Sequence, residues 1–303
     1  MSDNESTILI TGGNSGLGFE TAKKIATKSK EYQIILACRN LQKAEVAVKN
    51  LIDTTSNENI RAMELDVSSI ESVRKFAATF KKEKLGPIEG LLCNAGINGM
   101  HSGLTPDGFD IVFETNHLGH FLLSNLLLSE MKPKSRIVVV SSDMHSPPGP
   151  ELTWPGVGAL AHPDEQLKSN FIRYSYSKLC NLYFTHSLAS KLARMDSEIV
   201  VNAFNPGLLT DTNFALDKSR FTDDFLEQVS DRIGNLEDST EALANMMTEP
   251  LYGEITGKFI DRGTEKLSSP LSYSASNAEE LWEKSVEYTG LTPNETIPNL
   301  LTM

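Results

Sequence analysis

The sequence lacks several features that would assign it to a particular environment. It contains only three cysteines, Cys38, Cys93 and Cys180, and this odd, scattered set indicates free thiols in a reducing compartment. No apolar run approaches the roughly 20 residues that a membrane-spanning helix requires. Residues 1–6, MSDNES, are polar and acidic, unlike a secretory signal or a basic transit peptide. We therefore expect a cytoplasmic protein with no membrane span.

Basic residues are also in deficit. The chain has 28 Lys and Arg against 40 Asp and Glu, so its formal net charge is −12. Such a charge argues against nucleic acid and anionic membrane surfaces as partners. The length of 303 residues and the hydrophobic content of 40% suit a globular core, and we expect one domain over residues 1–303. A small molecule is the expected partner.

Apolar, β-branched runs alternate with helix-like stretches over the first two-thirds of the chain. Runs of this kind are typical of strands buried on both faces, which occur in parallel sheets covered by helices. Crossovers between parallel strands are nearly always right-handed, so the pattern predicts an α/β, doubly wound parallel sheet of about seven strands with helices on both faces. The predicted strands are 7–12, 33–39, 60–66, 88–95, 135–142, 198–206 and 257–263.

Two stretches interrupt this alternation. Residues 143–170 are rich in Pro and Gly, and residues 207–238 are long and polar. Each follows a strand at its carboxyl end, where open α/β sheets bind ligands, so we interpret both as substrate-side loops. Surface decoration is the alternative. Residues 264–303 are expected to form a C-terminal helical extension.

A glycine-rich turn joins the first predicted strand to the first helix. Gly12, Gly16 and Gly18 permit a tight turn and a close backbone approach to a pyrophosphate, and the following helix offers free N–H groups to it. The strand–turn–helix context favours a dinucleotide site over a plain turn, although the spacing differs from G-x-G-x-x-G.

The cofactor choice is predicted from the end of the second strand. An acidic residue about 20 positions beyond the last glycine would bind the ribose 2′-hydroxyl of NAD. This chain has Arg39 there and no carboxylate, and a guanidinium suits the 2′-phosphate of NADP(H). A surface arginine is the alternative. Asp66 and Val67 end the third strand, where a carboxylate can accept from the adenine amino group, and Asn94-Ala95-Gly96 end the fourth.

A tyrosine and a lysine stand four residues apart in RYSYSK. Tyr174 and Lys178 therefore share one helix face, whereas Tyr176 points elsewhere. A strand-like run ends upstream in Ser141-Ser142, and only one of these serines can face the tyrosine because successive strand residues face opposite sides. A phenol, an ammonium and a hydroxyl so placed can hand a proton to a reacting carbonyl.

These motifs together resemble the short-chain dehydrogenase/reductase family. Within it, ACRN at 37–40, TNHLGHFLL at 115–123, SSDMHS at 141–146 and SKLCN at 177–181 look most like the branch of retinol dehydrogenases and light-dependent protochlorophyllide reductases. We expect the membrane anchor of many retinol dehydrogenases to be missing, and the 143–170 loop differs from the family's pattern.

The resemblance implies roles for single residues. Tyr174 is the general acid/base, Ser142 rather than Ser141 steadies the substrate oxygen, and Lys178 favours the phenolate and holds the nicotinamide ribose. Asn116 is implied to hold a water that passes protons to Lys178. The predicted cofactor-binding residues are Gly12, Asn14, Ser15, Gly16, Leu17, Gly18, Arg39, Asn40, Asp66, Val67, Asn94, Ala95, Gly96, Tyr174, Lys178, Pro206, Gly207, Leu209 and Thr210, with Thr212 as the alternative to Thr210 at the nicotinamide.

The leading hypothesis is an NADPH-dependent oxidoreductase acting on a carbonyl or alcohol of an apolar small molecule. The alternatives are reduction of a carbon–carbon double bond and a non-catalytic NADP(H)-binding sensor or scaffold. We expect no metal site, because His117 and His120 have no third ligand in the pattern. Many relatives pair through the helices carrying Asn116 and Tyr174, so a homodimer is a further expectation, unless the C-terminal extension covers that face.

Overall fold

The computed structural model describes residues 6–164, 167, 169–212, 214 and 221–302. Parts of both predicted loops, at 165, 166, 168, 213 and 215–220, and the chain ends at 1–5 and 303 lie outside the described residues.

A mostly parallel sheet forms the centre of the fold. Its strands are β1 (Ser6–Thr11), β2 (Tyr32–Cys38), β3 (Ile60–Glu64), β4 (Ile88–Cys93), β5 (Met131–Val140), β6 (Val200–Asn205), β7 (Phe259–Asp261) and β8 (Thr264–Lys266). Their order across the sheet is β3-β2-β1-β4-β5-β6-β7-β8. The first seven strands are parallel, as predicted, and β8 pairs antiparallel with β7. The sequence analysis missed β8 because its three residues, TEK, are polar and exposed.

Helices cover both faces of the sheet. They are α1 (Gly16–Lys28), α2 (Leu41–Thr55), α3 (Ile70–Lys82), α4 (Ile111–Phe113), α5 (Gly119–Leu127), α6 (Val157–Ala161), α7 (Asn170–Arg194), α8 (Asp223–Gln228), α9 (Leu236–Thr248) and α10 (Ala275–Thr289). Apolar side chains of α1, α2 and α9 pack on one face, and those of α3, α5, α7 and α10 pack on the other. Each fully buried Leu or Ile in these layers contributes about 1.5–3 kcal/mol.

The strand order places a crevice at the middle of the sheet. The chain builds outward from β1 to β3 and then returns to place β4 on the other side of β1. At this switch point the connections after β1 and β4 leave in opposite directions, which opens a cleft beyond the carboxyl ends of the strands. The glycine turn, Asn94 and Ser142 all follow strands at this edge.

The C-terminal extension packs on α5 and α7. The ring of Trp282 on α10 lies 5.1 Å from that of Phe121 and 6.5 Å from that of Phe184, measured between centroids. His117 Nε2 lies 2.8 Å from the Ser285 hydroxyl in the same contact. The extension therefore packs against side chains of both helices and of the turn before α5. Within the described ranges, no helix combines the length and apolarity that a bilayer crossing demands.

Candidate active site

A cavity of about 620 Å³ lies at the carboxyl edge of the sheet. Such a volume is typical of small-molecule and cofactor sites. The sequence-predicted residues in its wall are Gly12, Asn14, Ser15, Gly16, Leu17, Arg39, Asp66, Val67, Asn94, Ala95, Gly96, Ser142, Tyr174, Lys178, Pro206, Gly207 and Leu209. Gly18, Asn40, Thr210 and Asn116 lie outside that wall, whereas Thr212 forms part of it.

The glycine turn and the start of α1 fit a phosphate group. Gly12 has a positive φ of 66°, and a Cβ on Gly18 would lie 2.6 Å from Asn94 Nδ2, so side chains would push the turn away from the end of β4. Ser15 is the N-cap of α1 but makes no side-chain capping bond, and the first turn carries no acidic residue. The N–H groups of that turn are therefore suited to an anion, with the helix dipole adding to the attraction.

The end of β2 fits the adenosine side of a dinucleotide. Arg39 is exposed and, among the described residues, makes no hydrogen bond or ion pair of its own. Asp66 Oδ1 accepts from the Ser68 amide at 2.9 Å and from the Ser68 hydroxyl at 2.6 Å. Asn40 acts as the N-cap of α2, accepting from the Lys43 amide at 2.9 Å, so its side chain is already engaged in the fold. Arg39 thus supplies the free cation at this end of the cavity.

Ser142, Tyr174 and Lys178 converge at the other end. Ser142 ends the segment after β5; its hydroxyl accepts from the Met144 amide at 3.1 Å and donates to Asp143 Oδ1 at 3.2 Å. Lys178 is buried, donates to the Val140 carbonyl at 3.0 Å, and lies 5.5 Å from the Tyr174 ring centroid. The expected helix face is therefore formed, and it meets the end of β5.

Burial shifts the pKa values of both Tyr174 and Lys178. Burial raises the pKa of Tyr174 well above its usual value, the Ser142 hydroxyl lowers it, and the charge of Asp143 raises it further. Burial also lowers the pKa of Lys178 to about 8. Burial is the largest cause of the shift at Tyr174, and the expected effect of Lys178 on the phenol stays a prediction.

Comparisons with known proteins agree with this geometry. A family model described as short chain dehydrogenase matches residues 6–153. Retinol dehydrogenase 13 of Homo sapiens is 32% identical, over 94% of this chain and 85% of its own. The chain belongs to the short-chain dehydrogenase/reductase family. It is therefore an oxidoreductase that uses a nicotinamide cofactor, and the expected likeness to retinol dehydrogenases is confirmed.

Solved structures show the same fold. An uncharacterized protein from Mycobacterium Paratuberculosis is 28% identical, with a TM-score of 0.70 over 94% of both chains. The angucycline C-6 ketoreductase LanV with bound NADP has a TM-score of 0.61 at 21% identity, covering 86% of this chain and 95% of its own. The predicted doubly wound sheet is confirmed, with one antiparallel strand added.

The hydroxyls of Ser141 and Tyr176, which neighbour the predicted catalytic residues in the sequence, point away from the cavity. Ser141 Oγ donates to the Lys178 carbonyl at 2.9 Å, which ties β5 to α7. The Tyr176 hydroxyl donates to the Thr153 carbonyl at 2.6 Å, on the opposite side of α7. Both side chains therefore hold the scaffold, which leaves Ser142 and Tyr174 facing the ligand space.

Asn116 lies in a π-helical turn, Glu114–Leu118, between α4 and α5. Its side chain bonds to both backbone groups of Ile97, accepting at 2.8 Å and donating at 2.9 Å, and it also donates to Ser177 Oγ at 2.9 Å. Turns of this type are frequent at functional sites because they displace one residue from the regular helix. Asn116 thus clamps the loop after β4 to α7, and its implied water-holding role stays a prediction.

A histidine and a threonine outside the predicted set support the same region. His120 Nε2 lies 2.9 Å from Thr11 Oγ1, which accepts from the amides of Asn94 and Ala95 at 2.9 Å each. Burial lowers the pKa of His120 to about 4, so the ring is neutral. No group of three or more potential metal-ligating side chains occurs among the described residues. In the sequence, only the position of Thr11 beside the glycine turn could have indicated that Thr11 and His120 support this region.

The remaining wall is largely apolar and comes from the two loops, the segment after β4 and the start of α7. Phe214 is 42% exposed, and its ring centroid lies 5.9 Å from that of Tyr174. Arg232 adds a cation to this part of the wall, and it is paired with Asp143. The sequence analysis did not single out the following wall residues: Ile97, His101, Pro148, Phe171, Phe214, Phe225, Val229 and Arg232.

Proposed function

We propose that the protein is an NADPH-dependent oxidoreductase that transfers a hydride between the nicotinamide and a carbonyl or alcohol of an apolar small molecule. The observation that carries this proposal is the convergence of Ser142, Tyr174 and Lys178 on the same cavity as the glycine turn. A bound cofactor and the proton donor could then act on the same substrate molecule.

NADPH is proposed over NADH because of Arg39. Its guanidinium has no partner among the described residues and stands at the cavity end where the ribose 2′ position is expected. A charge-assisted contact with a 2′-phosphate is strong because both groups are ionised. LanV, a structural neighbour, binds NADP. When bound, the nicotinamide supplies or accepts the hydride.

Tyr174 is the proposed proton donor to the carbonyl oxygen. Its pKa is raised by burial, so the phenol carries its proton at neutral pH and can give it up as charge develops on that oxygen. The Ser142 hydroxyl lies at the same wall and would donate a second hydrogen bond to the oxygen. Lys178 holds the Val140 carbonyl at the end of β5 and lies beside the Tyr174 ring.

The apolar outer wall supports a hydrophobic substrate. Phe171 and Phe214 are 49% and 42% exposed at the cavity, although large aromatic residues normally bury more of their surface. A bulky apolar ligand would remove this surface from water, contributing about 25 cal/mol for each Å² buried. We propose that such a substrate enters between these rings.

A turnover assay tests the proposal. Consumption of NADPH and of NADH should be followed with a panel of aldehydes, ketones and quinones of increasing apolar size. We expect turnover with NADPH, rising with the size of the apolar group. Tight NADPH binding without turnover of any carbonyl would instead favour a sensor or scaffold.

We propose that any homodimer uses a surface other than α5 and α7, because the extension packs Trp282 against Phe121 and Phe184 on the helices through which pairing was expected. Light scattering of the purified protein distinguishes a monomer from a dimer formed elsewhere.

A further inference from the structure

Asp143, the residue after Ser142, forms an ion pair with Arg232 from a distant part of the chain. Asp143 Oδ1 accepts from the Ser142 hydroxyl at 3.2 Å, and Asp143 Oδ2 accepts from Arg232 Nε at 2.5 Å. Both charged side chains line the cavity and are only partly exposed, 31% for Asp143 and 20% for Arg232. The ion pair therefore joins the loop after β5 to the loop after β6 directly beside the proposed catalytic group.

Arg232 is held in place independently of Asp143. Its carbonyl accepts from the Leu208 amide at 2.8 Å, and Arg262 Nη1 donates to the carbonyls of Asp231 and Ile233 at 2.7 and 3.1 Å. The backbone around Arg232 is thus hydrogen-bonded both to Leu208, at the start of the same loop, and to Arg262, the residue after β7. The Arg232 side chain therefore extends from a braced backbone toward the Asp143 carboxylate.

The pairing matters because Ser142 has a single hydroxyl proton. A proton given to Asp143 cannot be given to a substrate oxygen, so a strongly basic carboxylate would compete with the substrate. A guanidinium on the other carboxylate oxygen draws off negative charge and weakens that competition. The charge of Asp143 also raises the pKa of Tyr174, and a cation paired with it opposes this effect.

We propose that Arg232 is a positioning residue for the reaction. By pairing with Asp143 it weakens the competition of that carboxylate for the Ser142 hydroxyl proton, and it keeps the Ser142 hydroxyl and Tyr174 available to the substrate oxygen. This inference rests on the proposed function. It assigns to the 207–238 loop a part in the chemistry as well as in covering the cavity.

Other charged or titratable groups around Tyr174 are engaged elsewhere. Lys178 on α7 donates to the Val140 carbonyl, and Arg262 after β7 bonds to Asp261. His145, in the same turn as Asp143, donates from Nδ1 to the Ser142 carbonyl and accepts the Ser269 amide on Nε2. His101 lies in the cavity wall after β4. Among these groups, Arg232 is the one that bonds to Asp143.

The test uses three variants of the full chain: Arg232→Gln, Asp143→Asn and the double variant. Turnover is measured against pH in the alcohol-oxidation direction, with cofactor and substrate saturating. Arg232→Gln should slow turnover near neutral pH by about tenfold and move the midpoint of the profile upward by about one pH unit. Adding Asp143→Asn to it should return the midpoint to or below that of wild type. Arg61→Gln, which breaks an exposed pair with Glu83, is the matched control and should leave the profile unchanged.

A purely structural role predicts a different pattern. If Arg232 only anchored the loop, Asp143→Asn would weaken the same link, and the double variant would be no better than Arg232→Gln. That result overturns the proposal.

A second measurement needs no substrate, so it separates this inference from the proposed function. Amide hydrogen exchange at 144–146, in the turn held by Ser142 and Asp143, should quicken in Arg232→Gln and stay unchanged in Arg61→Gln. Unchanged exchange in both variants overturns the positioning role, whether or not wild type reduces any carbonyl. Absence of wild-type turnover with quickened exchange overturns the proposed function alone.

Discussion

The two tyrosines of RYSYSK provide the sharpest test of the site, because their hydroxyls do different work two residues apart. Tyr174 faces the cavity beside Ser142, whereas the Tyr176 hydroxyl donates to the Thr153 carbonyl at 2.6 Å. Replacing either by Phe keeps the ring and its packing. The variants therefore differ only in which hydroxyl is lost.

The two variants should affect different properties: Tyr174→Phe the activity, and Tyr176→Phe the stability. Tyr174→Phe removes the proposed proton donor, so turnover should fall by about 10² to 10⁴, while NADPH should bind nearly normally. Tyr176→Phe leaves the Thr153 carbonyl without that donor, which should cost on the order of 1 kcal/mol of unfolding free energy. This second variant should keep most of its activity.

Three measurements on wild type and both variants are needed: turnover of one reducible carbonyl, an NADPH binding titration and thermal unfolding. An inactive Tyr176→Phe with an active Tyr174→Phe would refute the assigned register of α7. Loss of activity that tracks loss of stability in both variants would refute the separation of catalytic and structural roles.

Three further outcomes follow from the charges and loops around the cavity. Arg39→Ala should weaken NADPH binding by about ten- to a hundredfold and NADH binding little, since only NADPH carries the 2′-phosphate; equal losses for both would contradict the assignment. The loops 143–170 and 207–238 should exchange amide hydrogen faster than the sheet without ligand, and NADPH should slow exchange in the second; equal protection with and without NADPH counts against this. Burial raises the pKa of Glu114 from 4.5 to about 8, so the folded state retains a proton that the unfolded chain loses, and stability declines as pH rises between these values. Glu114→Gln should therefore be more stable than wild type by roughly 1–3 kcal/mol near pH 8 but not near pH 5 in thermal unfolding, and an equal difference at both would refute the cause.

The sheet could be predicted because its strands carry their own signal. The predicted runs overlap all seven of β1 to β7, and each of these strands contains buried apolar residues. β5 begins at Met131, earlier than predicted, because its first four residues, MKPK, are partly or fully exposed and their two lysines and proline interrupt the apolar pattern of a buried strand. A short polar edge strand such as β8 leaves no such run.

The site could be predicted only in part, because much of it depends on contacts between distant segments. Glycine spacing and the Tyr174–Lys178 interval are local, so the sequence reveals them directly. The pairs Thr11–His120 and Asp143–Arg232 are 109 and 89 residues apart, and nothing in either local pattern indicates its partner. Asn40 shows the opposite case, since its place after β2 suggested a cofactor contact while its side chain caps α2.

The same burial that shapes the site bears on the direction of the reaction. A reduction needs the neutral phenol of Tyr174 as donor, and an alcohol oxidation needs the phenolate as acceptor. Burial raises the pKa of Tyr174 and lowers that of Lys178 to about 8, so neutral pH favours the phenol, and the ammonium is lost as pH rises through that value. Carbonyl reduction should therefore proceed near neutral pH, where the phenol carries its proton, whereas alcohol oxidation should increase toward alkaline pH as the phenolate forms. Initial rates of carbonyl reduction and of alcohol oxidation, measured from neutral to alkaline pH, check the direction of each pH dependence. Oxidation that is fastest at acidic pH would show that Tyr174 is not the group that titrates.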